Sequence, residues 1–273
     1  MILAAIAAAA EESEGGLAYP PIENLVEWPA WFGDYSGKLF EGDIWAFNKI
    51  ALISVLATVV TAILFFIAGR GRKMVPRGMQ NFGEICVDFI DKQIVQQAIG
   101  HGGEKYIPYL ISIFFFVFFG NITEVLPGFW MPANARMANP MFLALLTLCF
   151  FVAVGLKHQG PKYFINVGFP PGVPKALYLL VTPIEYLSTF IVRPFSLAVR
   201  LFANMLAGHI LLVTFGVLCI ALFSASLLGA VLLLSFPMLV ALTAFEVMVS
   251  FLQAYVFAIL AAVYIGGALH PEH

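Results

Sequence analysis

The stretch LLGAVLLLSFPMLVALTAFEVMVSFLQAYVFAILAAVYIGGAL, residues 227–269, holds a single charged side chain, Glu246. It is apolar on all sides rather than along one stripe. Such a helix either fills the core of a large protein or crosses a membrane. About 20 apolar residues suffice to cross ~30 Å of hydrocarbon, and this run is far longer. Immediately before it, residues 176–222 behave in the same way, interrupted only by Pro183 and Pro194. As one helix they would extend about 70 Å, over twice the hydrocarbon thickness. Either the chain turns near Arg193-Pro194 or a single helix lies strongly tilted, and the sequence leaves both open.

Composition agrees with a membrane. Of 273 residues, 61% are hydrophobic and 11% charged, against roughly half and a quarter in soluble domains. In lipid only helices and closed barrels satisfy the backbone. Barrel strands alternate in polarity, whereas the runs here are continuously apolar. The expected fold is an all-α integral membrane protein of about five transmembrane helices plus one amphipathic surface helix.

Working toward the N-terminus, spans are expected at 45–68, 107–125 and 141–156. Arg70, Arg72, Lys73 and Arg77 follow the first span, and Lys157, Lys162 and Lys175 follow the third. The positive-inside rule places both clusters in the cytoplasm, with the N-terminus outside and the C-terminus inside. Residues 80–99 differ in kind. Phe82, Ile85, Cys86, Phe89, Ile90 and Ile94 recur at helical spacing, opposite Glu84, Asp88, Asp91 and Lys92. That pattern predicts an amphipathic helix on the cytoplasmic surface, ended by Gly100-His-Gly-Gly103. Residues 1–44 form an acidic extracytoplasmic segment, with eight acids against one base, Lys38, before Asn48. Its signal-like start lacks a basic leader, so cleavage and retention both stand.

Several chemistries are excluded. There is no basic stripe for nucleic acid. Cys86, Cys149 and Cys219 lack metal or redox spacing. No phosphate loop, zinc-protease helix or nucleophile elbow occurs. An enzyme acting alone is not expected, and neither a metal nor a cofactor is implied. A self-contained transporter would show internal repeats, of which there are none.

The informative residues are charges in apolar surroundings. Between Ala176 and Leu269 they are Glu185, Arg193, Arg200 and Glu246, with His209 as a further candidate. Each costs about 2.5–3.5 kcal/mol to insert on translocon scales. Arg200 cannot shed its charge, and its neighbours one turn away are Ser196, Leu197, Ala203 and Asn204, none acidic. Ala203, Ala207 and Gly208 make a smooth face that a second helix can approach. Arg200 is therefore a permanent cation awaiting a partner from elsewhere, or else a structural arginine paired with Glu246 or snorkelling to an interface. Thr243, Glu246, Ser250 and Gln253 share one helix face; such a stripe seals a helix contact or lines a wet path. His209 is displaced toward the face opposite Arg200, and imidazole can relay protons or simply sit hydrogen-bonded in the core. Glu185 reads as functional or interfacial, as does Glu124, which accompanies Asn121 at the outer end of the second span. The sequon Asn121-Ile122-Thr123 lies too close to an apolar run to be a glycosylation site.

The segment PFSLAVRLFANMLAGH, residues 194–209, closely resembles the signature of F-type ATP synthase subunit a, and so does FLQAYVF, residues 251–257. The order and spacing of the chain from about residue 40 to 270 fit that family as well. The resemblance implies two long, strongly tilted C-terminal helices beside a rotating ring of c subunits. The b subunits and the lipid bilayer are further partners, and the membrane is a bacterial plasma membrane. It implies that Arg200 faces the ring carboxylate and keeps it ionised. Asn204, His209, Glu246 and Gln253 would belong to an outer half-channel with Glu124 near its mouth, and Glu185 to a cytoplasmic half-channel. Some family members carry an acid at the His209 position and a histidine at the Glu246 position. The implied activity is proton translocation coupled to ATP synthesis, with ATP chemistry in other subunits.

Overall fold

A computed structural model describes residues 35–38, 41–42, 49–70, 78–100, 102–126, 132–169, 177–224 and 229–269. Most of the expected 1–44 segment, the Trp45–Asn48 start of the first span, and Arg72, Lys73, Arg77 and Lys175 lie outside them. Within the N-terminal segment, where the sequence predicts no regular element, β1 (Tyr35–Lys38) and β2 (Glu41–Gly42) pair antiparallel in a short ribbon.

The remaining described elements are helical. They are α1 (Lys49–Arg70), α2 (Met79–Ile90), α3 (Ile107–Ile122), α4 (Ala138–Gln159), α5 (Lys162–Gly168), α6 (Tyr178–Leu187), α7 (Arg193–Ser224) and α8 (Gly229–Leu269). Five helical stretches are long and apolar enough to cross a membrane: Ile50–Arg70, Gly103–Ile122, Ala138–Gln159, Tyr178–Cys219 and Ser235–Leu269. The protein is an all-α, multi-pass membrane protein. Its outward side chains would be untenable in water: Phe66 is 67% exposed and Leu179 88%. Several hydroxyls within these helices bond back to the carbonyl four residues earlier. Ser54 donates to Ile50, Thr61 to Ala57, Ser112 to Pro108 and Thr214 to Ile210, so these donors do not meet hydrocarbon unpaired.

The chain does not turn at Arg193-Pro194. Helix α6 continues through a π-helical segment, Ser188–Val192, directly into α7. Proline lacks an N–H and collides with the carbonyl four residues earlier. Widening the preceding turn to i→i+5 bonding removes that collision, so the chain passes Pro194 without breaking. The 42-residue stretch Tyr178–Cys219 thus extends about 60 Å, too long to stand upright in ~30 Å of hydrocarbon.

Three expectations change in detail. The second span ends at Ile122, and Thr123, Glu124 and Val125 form a turn whose amides bond back to the helix end: Glu124 to the Asn121 carbonyl and Val125 to that of Ile122, each at 3.1 Å. Seven consecutive bulky residues, Ile113–Phe119, end just before it, and Gly120 with Asn121 brings small and polar side chains that packing, not lipid, must accommodate. The third span is longer than expected, Ala138–Gln159. Helix α2 runs on through a π-helical segment, Asp91–Val95, to a last turn at Gln96–Ala98. Its apolar face also divides. Gly83, Ile90, Ile94 and Val95 pack inside, while Phe82 and Ile85 are exposed.

By packing, the chain falls into two compact units: Met1–Leu56 with Gly120–Arg136 and Ala203–Ser250, and Ala57–Phe119 with Met137–Phe202 and Phe251–His273. In the second, Phe89 of α2 meets Phe114, Phe251 and Tyr255 at ring distances of 5.9, 6.0 and 6.2 Å. The Tyr255 hydroxyl donates to the Gln93 carbonyl of the π segment at 3.4 Å. At the end of α4, Gln159 donates to the Ala268 carbonyl at 2.7 Å, and Arg193 lies 5.6 Å over the Tyr264 ring. In the first unit, Ile50, Ile53 and Ala133 form a small core that fixes the loop before α4.

Candidate functional site

The first unit contains a cluster of buried polar residues in apolar surroundings. Glu124 is 4% exposed, His209 2% and Glu246 3%, while Asn121, Asn134 and Ser250 are fully buried. Each comes from a different local constraint. Helix α3 stops at Ile122, so Glu124 sits on a turn that folds inward. His209 and Glu246 occupy the inward faces of α7 and α8, where sequence periodicity puts the one opposite Arg200 and the other on the polar stripe.

His209 Nδ1 lies 3.5 Å from Glu124 Oε1, an ion-pair distance at the limit for a hydrogen bond. His209 Nε2 and both Glu124 oxygens have no hydrogen-bond partner among the described residues. Residue 208, next to the histidine, is glycine. A Cβ there would stand 2.5 Å from the Glu246 carboxyl carbon and from both its oxygens. Helices α7 and α8 therefore meet through the Gly208 backbone and the Glu246 carboxyl, which lies within electrostatic reach of Glu124. The result is an acid–imidazole pair with a second acid against the residue that precedes the imidazole, and an imidazole can receive a proton at one nitrogen and release one at the other. Ser250 Oγ, one turn on from Glu246, also has no hydrogen-bond partner among the described residues.

The pairing of Asn121 with Asn134 has no signature in the sequence. Asn134 Nδ2 donates to Asn121 Oδ1 at 2.6 Å. Asn134 stands on the short 3-10 turn Ala133–Ala135, where no periodicity marks it. The burial of Asn121 and Thr123 closes the sequon to glycosylation, as its position predicted.

The other candidates are placed as follows. Arg200 is exposed on α7 and makes no hydrogen bond or ion pair among the described residues. Along the same exposed face run Ala203, Asn204, Ala207 and Leu211, so the cation stands beside small side chains. Glu185 is half-buried on α6. Gln253 is buried on α8, in line with Glu246 and Ser250. Arg200, Glu185 and Gln253 belong to the second unit, and Asn204 to the first.

Five long apolar helices, with Glu124, His209 and Glu246 buried and Arg200 exposed, define a multi-pass membrane protein that carries titratable side chains in its interior. A profile of the ATP synthase A chain family matches residues 51–266. An ATP synthase subunit a of Frankia alni is 41% identical over 260 residues, covering 93% of this chain and 87% of that protein. One of Rhodococcus erythropolis is 44% identical over 229 residues, covering 82% and 83%, and one of Streptomyces lividans 36% over 261, covering 94% and 90%. The chain belongs to the ATP synthase A chain family.

Proposed function

We propose that this chain is the proton-conducting subunit of an F-type ATP synthase in a bacterial plasma membrane. It forms two half-channels against a rotating ring of c subunits, with b subunits as further neighbours. The observation that carries the reading is the contrast on α7. His209 is buried beside Glu124, while Arg200, nine residues earlier, is exposed and unpaired among small side chains.

A proton from outside passes Glu124, Glu246, His209 and their neighbours Asn204 and Gln253, and neutralises a ring carboxylate. The neutral site then rotates into lipid, where an ionised one would be costly. After most of a turn it faces Glu185 and releases its proton to the cytoplasm. Arg200 holds an ionised ring carboxylate by charge and lets no proton pass, since guanidinium does not give one up. A potential worth about 2.3 kcal/mol per charge per 100 mV thereby drives rotation in one direction. The length of Tyr178–Cys219 and of α8 supports a strongly tilted course for both. The basic residues at Arg70 and Lys157–Lys162 support an outside N-terminus and a cytoplasmic C-terminus. Catalysis of ATP synthesis lies in other subunits.

The test is ATP-driven proton pumping by inverted membrane vesicles carrying Arg200→Ala. Abolished pumping in a complex that still assembles is the expected result. Pumping at the wild-type level would make Arg200 structural and the reading wrong.

A further inference from the structure

We propose that Asn134 is a positioning residue for the outer proton path, an inference that rests on the function proposed above. Its amide sets which side of Asn121 is presented to the acidic cluster. An asparagine side chain offers an acceptor on one branch and a donor on the other. Asn134 Nδ2 donates to Asn121 Oδ1 at 2.6 Å, so the acceptor branch of Asn121 is taken. The remaining branch, Nδ2, is buried and makes no hydrogen bond among the described residues. Asn121 lies one turn before Glu124, whose amide bonds to the Asn121 carbonyl. A fully buried donor without a partner thus lies one turn before an acid whose own oxygens lack hydrogen-bond partners among the described residues.

Both asparagines are held firmly. Each is fully buried, the Asn134 amide rests 3.5 Å from the Cβ position of Gly120, and Ala133 packs with Ile50 and Ile53. A donor fixed in this way favours the ionised form of a neighbouring carboxylate and so loosens its hold on a proton, which passes onward instead of staying on the acid. The charged or titratable groups of the surrounding elements are Glu124 on the turn after α3, Arg136 at the end of the loop, His209 on α7 and Glu246 on α8. Without Asn134 the Asn121 amide can rotate and offer oxygen instead, which repels a carboxylate.

The test is ATP synthesis by inverted vesicles energised with an imposed pH gradient, measured over a series of lumenal pH values. Asn134→Ala is expected to lower the rate about fivefold, the worth of one ordinary hydrogen bond. Asn134→Asp keeps the shape but turns the donor into an acceptor. It is expected to match that loss at neutral lumenal pH and to recover on acidification, because the protonated carboxyl donates again. A purely packing role would leave Asn134→Asp at the wild-type rate at every pH, and that result overturns the inference. So would a failure of both variants to assemble. If Arg200→Ala arrests pumping while Asn134→Asp stays at wild type, only the positioning role falls. If Arg200→Ala also pumps normally, both proposals fall.

Discussion

Gly208 and Glu246 occupy the same space: the carboxyl of one fills the volume that a side chain on the other would need. A Cβ on residue 208 would lie 2.5 Å from three atoms of that carboxyl, closer than side-chain carbons come in folded proteins. Close helix approach in membranes depends on such small residues, and here the approach also aims an acid at the neighbour of His209.

Gly208→Ala should therefore separate α7 from α8 or swing Glu246 out of the cluster. Overpacking of this kind costs about 1–3 kcal/mol, so the purified complex should melt earlier and pump protons at least several-fold more slowly. Gly208→Ala combined with Glu246→Ala should regain the melting temperature but not the pumping. A double variant that melts as low as the single one would show that the carboxyl is not the obstacle.

The His209–Glu124 pair leads to a second expectation. Removing one partner of a buried polar contact leaves the other unsatisfied and costs about 1–3 kcal/mol. His209→Ala should lose most pumping, and so should Glu124→Gln. Groups in contact couple by about 0.5–3 kcal/mol, so the double variant should be less impaired than the two losses combined. Strict additivity in a four-way cycle of stability measurements would mean that the 3.5 Å approach carries no energy.

Helix α2 is anchored through a glycine of α8. A Cβ on Gly266 would overlap the Ala98 carbonyl oxygen, which is backbone and cannot rotate away. Gly266→Ala should push the end of α2 off its seat, with faster amide hydrogen exchange over residues 79–98 in the assembled complex. Unchanged exchange there would show that α2 is held mainly by the aromatic contacts of Phe89.

Cys86 offers a pH-dependent readout on the same helix. Burial pushes its thiol above the usual range, because desolvation disfavours the thiolate. Only the thiolate reacts with maleimide. Labelling at neutral pH should be slower than for a free thiol and should rise as pH increases past the ordinary thiol range. A rate equal to that of a small-molecule thiol throughout would mean that α2 leaves this face open.

Much of the architecture is legible in single residues. Helices need no partner to satisfy their backbone in lipid, so an apolar run of sufficient length defines a span wherever it occurs. The cost of burying a charge is likewise a property of one residue, which is why Arg200, His209 and Glu246 stand out against their apolar neighbours in the sequence itself. Their faces follow from helical periodicity: Arg200 is outward, while His209, Glu246, Ser250 and Gln253 are inward.

Tertiary structure alone decided which of these residues meet. Glu124 reaches His209 because α3 stops at Ile122 and turns inward, and although Gly120, Asn121 and Thr123 break the apolar run, nothing in it says which way the chain then turns. Asn134 sits in a loop without periodicity, and only its contact with Asn121 gives it a role. The choice between turn and continuous helix at Pro194 depended on a π-helical segment that no residue type encodes by itself. Spans and isolated charges are local, priced residue by residue against the solvent. Pairings and registers are properties of packed surfaces from distant parts of the chain, and they exist only once those surfaces touch.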